Sequence, residues 1–191
     1  MTTVFVAGSR AISKLNEQIR ERLENIMRQQ LSVLVGDANG ADKAVQAYLA
    51  KCAYRSVTVY SMEASRNNVG GWPIKRHFGA PAAKHDRHYY GIKDLAMTKD
   101  ATWGFMLWDG ESKGTLTNVV NLLNTRKKTL LYLSPQRSFC NVCSFEDLYG
   151  LLHVSGIENA PLFLNNLGLG DAGRTHLRDS ARSEKVVTVE R

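Results

Sequence analysis

The chain of 191 residues predicts an α/β fold: a doubly wound, mostly parallel sheet with a helical C-terminal extension. Three observations carry this reading. Short β-branched, apolar runs without charge alternate with longer segments whose apolar residues recur at helical spacing. Several of these runs end in a glycine-bearing turn, some directly ahead of a helix. Uncharged strands are those of a sheet covered on both faces, as parallel strands joined by crossover helices must be. Right-handed crossovers then make the arrangement Rossmann-like.

The elements follow in order. Thr3-Val4-Phe5-Val6-Ala7 is the first strand, and Gly8-Ser9-Arg10 breaks it. Leu15, Ile19, Leu23 and Ile26 share one face of a helix whose other face is charged. Residues 31–35 form a second strand, ended by Gly36-Asp37. Ala41, Ala44, Val45, Tyr48 and Leu49 line a second helix. Residues 56–62 read as a third strand, 103–108 as a fourth and 129–133 as a fifth. Between the last two, residues 115–124 form a helix through Val119, Val120, Leu122 and Leu123. Residues 63–85 show little periodicity and contain Gly70-Gly71-Trp72-Pro73, so a long loop of the lid type is expected there. Beyond Pro135, Phe145, Leu148, Tyr149, Leu151 and Leu152 predict another helix. The tail from about residue 170 is polar, with Val186-Val187-Thr188-Val189 offering an edge strand. The expected organisation is a domain of residues 1–135 and an extension of residues 136–191.

Composition narrows the function classes. Hydrophobic residues make up 43% and charged residues 23%, as in ordinary globular proteins. No apolar run approaches the roughly 18 residues of a membrane span, and the N-terminal run lacks the basic region of a signal peptide. The 3 cysteines cannot all pair within the chain. A reduced, cytoplasmic, soluble protein without a membrane partner is therefore expected. The net charge of +7 favours an anionic partner, nucleic acid or a phosphorylated small molecule, although solubility alone also explains it.

In an open parallel sheet the ligand lies outside the carboxyl ends of the strands. Here those ends are rich in small and polar residues. In Gly8-Ser9-Arg10, glycine permits close backbone approach, serine can cap, and arginine can hold a phosphate with two hydrogen bonds. Gly36-Asp37-Ala38-Asn39-Gly40-Ala41-Asp42 directly precedes a helix, whose open N–H groups and dipole favour an anion. Asp109-Gly110-Glu111-Ser112-Lys113-Gly114-Thr115 opens another helix, where Lys113, the Gly114 amide and the Thr115 hydroxyl can donate to phosphate oxygens. Neither a Walker A loop nor Gly-x-Gly-x-x-Gly is present, which disfavours ordinary nicotinamide or flavin binding.

These motifs, in this order, resemble the YspA-like branch of the SLOG superfamily, relatives of DprA and of the Lonely Guy phosphoribohydrolases. The resemblance spans residues 2–135. It implies a Rossmann-like fold, a site for nucleotides or nucleotide derivatives at these turns, and a homo-oligomer. By position it assigns Gly8, Ser9 and Arg10 to the first motif, Gly36, Gly40, Ala41 and Asp42 to the second, and Asp109, Gly114 and Thr115 to the third. The departures bear on activity. Hydrolytic relatives carry Gly-Thr-x-x-Glu, whereas this chain has Gly114-Thr115-Leu116-Thr117-Asn118. Asn118 can hydrogen-bond a ribose but cannot act as a carboxylate. Asp37 stands where the family often has glycine, and it would repel a phosphate unless it turns away or meets Arg10.

The leading expectation is thus binding or sensing of a nucleotide-derived small molecule, ADP-ribose-like, with no cofactor and no metal required. Arg10, Lys113 and the amides after Gly36 and Gly114 would hold phosphates, Asn118 the ribose, and Asn39 would lie at the same rim. One alternative is an enzyme cleaving or transferring at an N-glycosidic bond, with Asp109 or Glu63 as the acid. Nucleoside deoxyribosyltransferases, which use a glutamate nucleophile, bear a distant resemblance in architecture. A second alternative is single-stranded nucleic-acid binding, as in DprA. It is disfavoured because basic residues such as Arg20 and Arg22 alternate with Glu21 and Glu24. The expected lid carries Arg66, Lys75, Arg76, Lys84 and Arg87 against Glu63 and Asp86, with His77, His85 and His88. Trp72 or Tyr89 would either stack on a base or anchor the core. His85 and His88 lack a third metal ligand. Cys140-x-x-Cys143 lacks the second pair of a zinc site, so two reduced thiols in a turn are expected.

Overall fold

The computed structural model describes residues 1–79 and 87–170, and the statements below concern those residues. The chain runs through β1 (Thr3–Gly8), α1 (Glu17–Arg28), β2 (Ser32–Gly36), α2 (Ala41–Lys51), β3 (Val57–Met62), β4 (Ile74–His77), α3 (Arg87–Asp100), β5 (Trp103–Trp108), α4 (Lys113–Asn124), β6 (Thr129–Leu133), β7 (Ser138–Val142), α5 (Phe145–Val154) and α6 (Ala160–Asn166). The strands form one sheet in the order β4-β3-β2-β1-β5-β6-β7. All neighbours are parallel except β6 and β7. This is a Rossmann-like α/β fold followed by a helical C-terminal part.

Strand periodicity sets the layers. Val4, Val6, Val33, Val35, Val57, Val59, Phe105 and Leu107 share a core cluster with Ile19, Leu23 and Ile26 of α1 and Val45 and Leu49 of α2. Gly104 turns the other way: a Cβ there would lie 2.3 Å from Leu122 of α4. α3 packs beside α4 and against β3 and β2. Both faces are therefore covered. α1 begins at Asn16, whose Oδ1 accepts from the Ile19 amide at 3.0 Å, while its Nδ2 donates to the Tyr132 hydroxyl at 2.5 Å. One residue thus caps the helix and ties it to β6.

Four features differ from the sequence expectation. Within residues 63–79, after β3, the chain is a pinned connector rather than a loop without structure, and it contains β4, parallel to β3. Asn68 exchanges hydrogen bonds with both backbone groups of Trp72, and the Trp72 indole donates to the Tyr54 carbonyl at 2.9 Å. Trp72 and Tyr89 are buried. Second, α3 precedes β5. Tyr89, Lys93 and Met97 form its buried stripe, and the lysine interrupts the apolar pattern that would reveal the helix. Lys127 finishes α3 by donating to the Thr98 and Lys99 carbonyls at 2.6 and 2.8 Å. Third, β7 returns antiparallel to β6 and, with β4, brings the sheet to seven strands instead of five.

Fourth, the sheet-bearing unit extends beyond residue 135, to Cys143. A second unit starts at Ser144. There a reciprocal pair of hydrogen bonds between Ser144 and Asp147 caps α5, and Asn159 caps α6. The possible edge strand at Val186-Val187-Thr188-Val189 lies outside the described residues. Among those residues no helix is long and apolar enough to cross a membrane.

Candidate functional site

The chain builds β2, β3 and β4 to one side of β1, then β5, β6 and β7 to the other. The order reverses between β1 and β5, where a doubly wound sheet opens a crevice at its carboxyl edge. Ser9 sits at that point. Its amide donates to the Leu107 carbonyl at 2.9 Å, its carbonyl accepts from the Ala41 amide at 3.1 Å, and its hydroxyl donates to Asp109 Oδ2 at 2.5 Å. Three turns distant in sequence are therefore joined through one serine. Two glycines permit this closeness. A Cβ on Gly8 would lie 2.5 Å from the Leu107 oxygen and 2.9 Å from Ala41 Cβ. Gly40 has φ +83°, and a Cβ there would lie 2.3 Å from the Arg10 carbonyl oxygen.

The start of α4 is organised in the same way. Asp109 Oδ1 accepts from the Ser112 and Glu111 amides at 2.8 and 3.2 Å. Burial alone would raise the Asp109 carboxyl, but hydrogen bonds from Ser9 and these amides outweigh it and hold it below the usual range. Ser112 caps α4, accepting from both the amide and the hydroxyl of Thr115. The Lys113 and Gly114 amides then meet no acceptor among the described residues, and Gly114 is exposed. Neither Arg10, which is exposed, nor Lys113 forms an ion pair among those residues. Asn118, one turn further along α4, is buried, and its Oδ1 has no donor among the described residues. The buried Trp108 Nε1 at the end of β5 also lacks a partner.

Beneath the rim lies a buried charge network. Asp37 is 1% exposed and accepts from Arg66 Nη2 at 2.7 Å, Nε at 3.2 Å and the backbone amide at 3.1 Å. The Arg66 guanidinium lies 4.6 Å from the Tyr90 ring centroid. Burial would raise the Asp37 carboxyl, but Arg66 brings it below its ordinary value. Asn67 donates to the Asp37 carbonyl and to Asn39 Oδ1. Asp42 is buried, which pushes its carboxyl up to about 6 against the pull of Lys93. It accepts from the Ala38 amide at 3.2 Å and so shapes its own loop. Lys93, also buried, pairs with Asp94 at 2.7 Å. A Cβ on Gly36 would lie 2.3 Å from Asp42 and 3.0 Å from Lys93, so glycine leaves room for both. Buried Gln46 links the Gly36 carbonyl to the Val69 amide.

The structure thus brings Gly8, Ser9, Arg10, Gly40, Ala41 and Asp109 together, with Lys113, Gly114 and Thr115 on the helix that Asp109 opens. Several of the candidate groups are already engaged within the protein. Asp37 is buried and meets Arg66, not Arg10. The Thr115 hydroxyl is committed to Ser112. Asp109 is consumed in organising its turn. Glu63 follows β3, two strands from β1, a lateral distance of about 10 Å. Of the cations read as a lid, Arg66 is held by Asp37, and Lys75 pairs with Asp100 at 2.6 Å from within β4. Lys84, His85 and Asp86 lie outside the described residues.

Gln46, Asn67 and Lys93 were missed as participants, and nothing in their local sequence marks them. Cys140 lies in β7 and Cys143 just past it. Extended backbone separates their Cα atoms by about 10 Å, too far for a disulfide. Among the described residues no cluster of three His, Cys, Asp or Glu side chains is arranged to hold a metal ion. Comparison of the chain with protein-family models, with curated proteins and with solved structures finds no match.

Proposed function

We propose that the carboxyl edge binds a nucleotide or nucleotide-derived small molecule, ADP-ribose-like, and that the chain belongs with the YspA-like branch of the SLOG superfamily. The observation that carries this reading is the junction at Ser9, which gathers three glycine-bearing turns at the reversal point of the sheet. Arg10 and Lys113 supply cationic donors there, and the Lys113 and Gly114 amides supply backbone donors at the positive end of α4. The Asn118 carbonyl oxygen, buried and without a donor, suits a ribose hydroxyl.

Binding is favoured over cleavage by the state of the carboxylates. Both Asp109 oxygens already accept hydrogen bonds, and Asn118 occupies the position of the hydrolytic glutamate.

The test is to incubate the protein with nucleoside monophosphates, NAD and cyclic ADP-ribose, follow the melting temperature, then chromatograph the mixture. A ligand at a hundred times its Kd stabilises by about 2.7 kcal/mol, a rise of about 5 °C or more for a chain of this size. Unchanged ligand with such a rise supports the proposal, and Arg10→Ala combined with Lys113→Ala abolishes it. Free base in the chromatogram instead establishes the enzyme reading. No rise with any nucleotide, together with salt-sensitive retention of single-stranded DNA, establishes the nucleic-acid reading.

A further inference from the structure

The opposite edge of the sheet carries a second concavity. No crossover helix separates β6 from β7, so their hairpin brings no extra cover, and Trp103, Leu130 and Phe139 remain only partly buried against the core. A groove of about 220 Å³ opens there, between the C-terminal half of α1 and the amino ends of β5 and β6. Leu31 and Leu130 supply its apolar surface over the buried Ile26 and Phe105, Trp103 an indole, and Arg22 and Asn25 polar groups.

The electrostatics of the groove are one-sided. The Arg22 guanidinium lies 5.1 Å from the Phe139 ring centroid, and among the described residues no carboxylate pairs with it. A stacked guanidinium keeps its N–H donors in its own plane, available to an anion. Asn25 Oδ1 accepts from Arg28 at 2.6 Å, which fixes the amide at the groove's edge. The volume bounds the guest: a cavity of about 150 Å³ accepts benzene, so this groove admits one ring with a small substituent.

We propose that this groove is a separate small-molecule site, for a single aromatic ring bearing a carboxylate or comparable anionic group. The ring packs against Trp103 and the apolar surface, and the anion meets Arg22. The site is independent of the carboxyl-edge reading, since it lies about 20 Å away along the strands.

The experiment uses the full chain and fluorine NMR with 4-fluorobenzoate, with 4-fluorobenzyl alcohol as the neutral control. Broadening of the benzoate signal is expected, with affinity up to about fivefold above that for the alcohol, the scale of one accessible ion pair. Arg22→Gln removes that preference, because it keeps a polar side chain without the charge. Leu130→Trp, or the surface substitution Gln29→Trp if the first fails to fold, fills the groove and removes the broadening from both probes. AMP in excess leaves the benzoate signal unchanged. The proposal is overturned if wild-type protein broadens neither probe, binds both equally, still binds after the groove is filled, or releases benzoate to AMP.

Discussion

Asp42 shows how a single buried carboxylate can oppose the fold that holds it. Lys93 faces it with a favourable charge, Asp94 and Asp37 with unfavourable ones, and the Ala38 amide donates to it, yet burial dominates and moves its pKa from 3.8 to about 6. The folded protein therefore holds this proton more tightly than the unfolded chain. The resulting stabilisation is complete below pH 3.8 and is lost as the pH rises to about 6. A shift of this size is worth about 3 kcal/mol. Asp42→Asn cannot ionise, so the stability gap between it and the wild type should shift in the variant's favour by about that amount as the pH rises from 4 to 7, read from urea unfolding. Asp37 has the opposite sign: Arg66 lowers its pKa, so its contribution is present above 3.8 and fades as the pH falls through the lower folded value. Arg66→Ala removes the partner of a carboxylate that is buried in the wild type, and a loss of about 2–4 kcal/mol is expected in the same assay. Arg66→Lys should recover only part of it, because an ammonium cannot reproduce the two-pronged guanidinium contact.

Among the elements, the junction between β1 and α2 leaves the least room for change. Gly40→Ala must place a Cβ against the Arg10 backbone at a positive φ, and the expected cost is about 2 kcal/mol or more. Circular dichroism melting would reveal it, and unaltered stability would contradict the close packing described here. Elements were legible where burial is purely apolar: β1, β2, β5 and β6, with α1, α2 and α4, emerge within a few residues of their observed limits. α3 was not, because its stripe of Tyr89, Lys93 and Met97 places a lysine in the interior. That lysine is tolerated only through Asp94, Asp42 and Asp37, partners contributed by tertiary structure. β4 and β7 escaped detection for another reason. Both are short edge strands, and Lys75 and Arg76 in β4 or Ser138 and Asn141 in β7 interrupt the apolar signal.

At the scale of the whole molecule, the reversal of strand order explains which parts of the candidate site were readable. Glycine turns after consecutive strands can be seen in sequence, and parallel topology places them all on one edge. Their internal hydrogen bonds cannot be seen, which is why Asp37, Asp109 and Thr115 looked available for ligand and are engaged instead. The same topology separates the carboxyl-edge site from the amino-edge groove by the length of the strands. The sheet between them is continuous, and its core residues are close to fully buried. Sites this far apart with no shared partners should contribute independently, within about 0.5 kcal/mol. Melting-temperature shifts from a nucleotide ligand and from 4-fluorobenzoate should then add when both are present. Arg22→Gln should leave the nucleotide shift intact, and Arg10→Ala with Lys113→Ala should leave the benzoate shift intact. Departure from additivity in the wild type, together with a changed shift for each ligand in the variant that spares its own site, would mean that the sheet has two states biased from either edge, since coupling between two ligands is reciprocal. The tight packing of β1 between β2 and β5 argues for a single state, with strand register maintained along β1.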